Sequence, residues 1–124
     1  MGKPGSLVEK LIQENGPYSL VVTVDAALKL EGEPSGDVAE GVGAAIGGLG
    51  TERYHIEASA TKQGIPLVAV VVKMSSKEAI STITPQLEQA VDEARRRVEN
   101  VIVSQTKPGD RVIIAGIGNT IGVP

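Results

Sequence analysis

Three stretches of this chain are almost continuously aliphatic. They lie in SLVVTVDAAL (residues 19–28), PLVAVVVKM (66–74) and RVIIAGIG (111–118). A strand with one wet face alternates apolar and polar residues, whereas these runs do not alternate. Such strands are covered on both faces, the mark of a parallel sheet between helix layers. In SLVEKLIQENG, Leu7, Val8, Leu11 and Ile12 recur at helical spacing and Gly16 supplies a stop. A second helical stripe runs through Leu87, Ala90, Val91, Ala94, Val98, Val101 and Ile102. SSKE (75–78) has the form of a capping box that starts this helix, with Pro85 breaking or kinking it. KPGD (107–110) reads as a turn.

Two segments are harder to assign. DVAE (37–40) also has the form of a capping box, which would place Gly41, Gly43 and Gly47 of EGVGAAIGGLG inside a helix. Each glycine there costs up to about 1 kcal/mol relative to alanine, so close packing should offset it. The alternative, a phosphate cradle, fits less well, because the spacing is G-x-G-x-x-x-G and no strand precedes it. In TERYHIEASATKQG (51–64), Tyr54, Ile56, Ala58 and Ala60 alternate as in a strand. Thr51 can nevertheless cap a helix and Gly64 can stop one, and the balance favours a helix. The expected fold is a three-layer α/β sandwich on a small, mainly parallel sheet. With a strand at 51–63 it would instead be a ferredoxin-like βαββαβ arrangement.

Composition narrows the function classes. The 124 residues form one expected α/β domain, 1–124, whose ends suit a piece of a longer protein. There is no Phe, Trp or Cys, and His55 is the single histidine. Thiolate chemistry and multi-histidine metal sites are therefore excluded. Net charge is −3, and the consecutive arginines Arg95, Arg96 and Arg97 stand beside Asp92, Glu93 and Glu99. That run reads as a solvated helix face, so no nucleic-acid partner is expected. No apolar run spans a bilayer, and the expectation is a cytoplasmic domain without membrane contact of its own.

Sites in parallel sheets form outside the carboxyl ends of the strands. Asp25 stands after VVTV, Lys73 to Ser75 close the second run, and Asn119 and Thr120 follow the third. Asp25 is either an acid/base group or metal ligand, or a cap accepting backbone N–H groups. The following loop holds Lys29, Glu31, Glu33 and Asp37. Its acids suit oxygen coordination of Mg²⁺ or Ca²⁺, with Asp25 and Glu31 as the metal pair, or they are solvated loop residues. Gly116, Gly118 and Asn119 form a G-x-G-N turn, which either holds a ligand carbonyl or anion or simply ends the strand. His55 reads as a surface or packed histidine. The expected pocket joins Asp25, the 29–37 loop and Gly116–Asn119.

The segment EKLIQENGPYSLVVTVDAALKLEGE…GIPLVAVVV, from Glu9 to Val72, resembles the germination-protease and hydrogenase-maturation-protease group. Those proteins have a three-layer α/β fold, and the acid after the strand is functional; Asp25 occupies that position. Their G-x-G-N turn opens the chain and a second acid follows it. Here the turn stands last and no acid follows, so the pair is incomplete. VDAALKLEGEPSGDVAEGVGAAIGG is similar to an uncharacterised archaeal family, a domain of unknown function joined to an N-terminal membrane segment. The archaeal resemblance implies fold and lineage but no activity. Since no complete catalytic set can be assembled, the expectation is a ligand-binding, regulatory or oligomerising module of a larger archaeal protein, with a homo-oligomer formed through the Ala/Gly-rich helix. The alternative, implied by the protease-group resemblance, is a peptidase-like hydrolase using Asp25 as acid/base or metal ligand.

Overall fold

The computed structural model describes residues 4–28, 32, 36–42, 51–74 and 85–117. In chain order these form α1 (Pro4–Asn15), β1 (Leu20–Leu28), β2 (Val38–Val42), α2 (Thr51–Lys62), β3 (Leu67–Met74), α3 (Pro85–Gln105) and β4 (Val112–Gly116). The four strands form one sheet in the order β2-β3-β1-β4. β1 pairs in parallel with β3 and with β4, and β2 pairs antiparallel with β3.

The lack of alternation in the aliphatic runs has the expected cause. Val21, Leu67, Ala69, Val71, Ile113 and Ala115 point to one side of the sheet and pack with Val8 and Ile12 of α1 and Ile56 and Ala60 of α2. Leu20, Val22, Val38, Val68, Val70 and Val72 point to the other side, against Ala90, Ala94, Val98 and Val101 of α3. The chain is therefore a three-layer α/β sandwich, and residues 51–62 are the helix rather than the strand. α3 opens on Pro85, at a position where a missing N–H leaves nothing unsatisfied. The proposed start at Ser75 lies outside the described residues.

Val91 departs from its assignment to the buried stripe, being 52% exposed. It sits on the flank of α3 beyond the part that covers β1, β2 and β3.

The larger departure is at 38–42. VAEGV is an edge strand, not a helix, so Gly41 lies in β2; residues 43–50 lie outside the described residues. The cause is the residue before DVAE. Gly36 adopts φ +81°, its N–H donates to the Lys73 carbonyl, and the Lys73 N–H donates to the Asp37 carbonyl, both at 2.8 Å. A left-handed glycine sharing one cross-strand partner with its successor is a G1 bulge. The bulge turns the chain into antiparallel pairing along β3, and Glu40 faces α3 instead of closing a capping box. There Glu40 accepts a hydrogen bond from Arg97 at 3.2 Å. That bond is the main cause raising the Arg97 pKa above its ordinary value, and Glu93 adds to it. Arg95 pairs with Asp92 and Arg96 with Glu93, each at 3.3 Å.

α2 ends in a Schellman motif. The Ile65 N–H donates to the Ala60 carbonyl and the Gly64 N–H to the Thr61 carbonyl, with Gly64 at φ +69°. Space is open where a Cβ would stand, so Gly64→Ala carries only the backbone cost of the left-handed region. A loss of about 1 kcal/mol in urea denaturation is expected.

Candidate functional site at the carboxyl end of the sheet

β1 alternates its side chains between the two helical layers. Val21 faces α1 and α2 and Val22 faces α3, so Thr23 and Asp25 share the face of Val21. Asp25 is the sixth residue of a nine-residue strand rather than its end. It stands where the sheet steps down. The pairing of β1 with β4 stops at Val24↔Gly116, while its pairing with β3 continues through Leu28↔Met74. The last contact on the β4 side is the Ile117 N–H donating to the Val24 carbonyl at 2.9 Å.

The Asp25 side chain is only 7% exposed, and its Oδ1 accepts the Ala26 N–H at 2.7 Å. Thr23, one step below on the same face, is 3% exposed. Among the described residues, no buried side-chain nitrogen or oxygen is left without a hydrogen-bond partner. Asp25 lies opposite Val71 and Ala27 opposite Lys73. Lys73 therefore follows Asp25 diagonally on the same face, an offset that a lysine side chain spans. The G1 bulge holds the Lys73 backbone on both its N–H and its C=O. Asp25 and Lys73 thus share one face where β1 and β3 emerge from the core.

α1 and α2 both point their N-termini towards this end. Each leads by a short connection into the amino end of a strand, so both helices run antiparallel to β1 and β3. Ile12, Gln13, Gln63 and Ile65 meet at the amino edge of the sheet, which places both helix N-termini at the carboxyl edge. Helix N-termini carry partial positive charge, which favours anions within about a turn of them.

Of the residues expected in the pocket, Asp25 and Gly116 are brought to neighbouring strands. Lys29, Glu31, Glu33, Gly118 and Asn119 lie outside the described residues. Among the described residues, no group of three His, Asp or Glu side chains is placed to hold a metal ion. His55 is a partly exposed residue whose Nε2 lies 3.5 Å from Glu9 Oε2, bridging α2 to α1.

A second concavity was not anticipated. A cleft of about 300 Å³ lies at the opposite, amino edge, lined by Ile12, Gln13, Gly16, Pro17, Tyr18, Gln63 and Ile65. Beside it Arg111 stacks on Tyr18, 4.6 Å from the ring centroid, and donates to the Asn15 carbonyl. The strand-end rule looks only to the carboxyl edge, so nothing in that reading pointed here.

These features define a small α/β domain with a mixed sheet and with Asp25 and Lys73 on one face of its carboxyl edge. The chain belongs to the family described as "Domain of unknown function (DUF1512) C-terminal", whose model matches residues 1–124. None of the curated proteins and none of the solved structures matches it. No helix among the described residues is long and apolar enough to cross a membrane.

Proposed function

We propose that this domain is a ligand-binding module, with its site at the carboxyl edge of the sheet around Asp25 and Lys73. The observation that carries the reading is the burial of Asp25 at the step between β4 and β3. A carboxylate placed among aliphatic strands costs free energy, which a ligand cation at this edge would offset. The charges suggest the ligand class. Lys73 on the same face, with two helix N-termini, opposes a bare dication and favours a small zwitterion of the amino-acid type. Its ammonium would meet Asp25 and its carboxylate Lys73. The regulatory role follows from the resemblance to archaeal proteins in which such a domain follows a membrane segment: the module would report ligand to the rest of a larger chain.

The test is amide chemical-shift mapping of the chain with free α-amino acids, and with Mg²⁺ as a separate arm. Perturbations at Asp25, Ala26, Lys73 and Gly116 are expected with one amino-acid class and are lost in Lys73→Met. Perturbations confined to Gln13, Gln63 and Tyr18 would move the site to the opposite edge. A response to Mg²⁺ alone would replace the zwitterion with a metal.

A further inference from the structure

β4 is an edge strand, and its free side is built unlike an edge protected from association. Arg111 C=O and Ile117 N–H are directed at β1, so by alternation Val112, Ile114 and Gly116 direct their N–H and C=O groups away from it. Among the described residues no strand lies on that side. The row carries no charge, no proline and no bulge, the usual means of blocking edge pairing.

Exposed aliphatic side chains converge on this edge from both layers. Ile114 is 56% exposed on the α3 side. On α3, Val91 and the half-buried Ile102 lie on the flank opposite Glu93 and Arg97, which reach toward β2. On the other side of the sheet, Glu9 and Gln13 of α1 face α2. Leu7, 59% exposed, and Leu11 therefore lie on the flank turned to β4. Lys10 and Glu14, one turn apart at 4.0 Å, rim that flank.

The geometry points to a homodimer formed by antiparallel pairing of β4 with β4 of a second copy about a two-fold axis through Ile114. The outward row is complementary to itself in that register. Ile114 pairs with its own copy, and Val112 falls opposite Gly116, where no side chain competes for its space. All outward-facing N–H and C=O groups of the row find partners. The two α1 helices then lie antiparallel on one face of the joined sheet, with the exposed Lys10 and Glu14 on their outer sides. An isologous contact of this kind closes at two copies. It would extend the four-stranded sheet across both chains and cover Leu7, Val91 and Ile114. This assignment is independent of the ligand reading and replaces the Ala/Gly-rich segment as the expected oligomer contact.

Sedimentation equilibrium of the chain, with Ile114→Lys and Val103→Lys, tests the proposal. Val103 is 79% exposed and lies away from the edge. The wild type and Val103→Lys are expected at twice the monomer mass in the high-micromolar range, and Ile114→Lys at the monomer mass with unchanged far-UV circular dichroism. Hydrogen exchange gives a readout that needs no variant: protection at the Ile114 and Gly116 amides should rise with protein concentration. A wild type that stays monomeric, a dimer that survives Ile114→Lys, or protection at those amides that ignores concentration each overturns it.

Discussion

Ile56→Ala is expected to lower unfolding stability by about 3–4 kcal/mol in urea denaturation, with little change in the slope against denaturant. Ile56 is fully buried and is the large aliphatic side chain by which α2 grips the sheet, with Ala60 beside it and Val8, Ile12 and Leu67 in the same cluster. A chain without Phe or Trp holds few bulky groups able to relax into the space left behind. The loss should therefore sit in the upper half of the usual range for truncating a buried aliphatic. Against a typical total of about 5–15 kcal/mol, that is a large fraction of the domain's stability. Val103→Ala, at an exposed site, should change stability by no more than about 0.5 kcal/mol. A loss below about 1.5 kcal/mol for Ile56→Ala would mean that α2 is less firmly docked than its burial implies.

The second large effect concerns Asp25. If its carboxylate meets a ligand ammonium, Asp25→Asn removes a charge-assisted hydrogen bond while keeping the shape and the Oδ1 that accepts the Ala26 N–H. Such bonds contribute roughly 1.5–3 kcal/mol, so affinity should fall about 10- to 100-fold. Removing a buried charge kept for binding should leave the stability of the ligand-free chain unchanged or raised, since residues held for function commonly cost stability. Asp25→Ala also leaves a cavity and is the less informative variant.

The three aliphatic runs were legible because covering both faces of a strand removes alternation, and that covering is what the two core clusters show. α2 was nearly lost for the opposite reason. Tyr54, Ile56, Ala58 and Ala60 alternate in sequence, yet only Ile56 and Ala60, one helical turn apart, are buried, while Tyr54 and Ala58 face solvent. Short polar helices of this kind are fixed by where they dock more than by their own pattern. β2 has the look of a helix start because DVAE satisfies a capping box locally, while the partners that make it a strand lie in β3, with Lys73 holding the bulge before it. Only Gly36, one residue upstream, carried the bulge in the sequence.

The candidate site was half legible. Asp25 and Lys73 were visible as polar residues ending apolar runs, but the step between β4 and β3 depends on the register of three strands. The β4 edge was not legible at all, since strand order decides which strand lies outermost.

The central claim is that the Asp25 carboxylate is kept for a ligand and not for the fold. Urea denaturation of the wild type and Asp25→Asn, without ligand and at the same protein concentration, tests it most directly. The account predicts that Asp25→Asn is as stable as the wild type or more so. A loss of about 2 kcal/mol or more would show that the Asp25 charge itself holds the fold together and would contradict the claim.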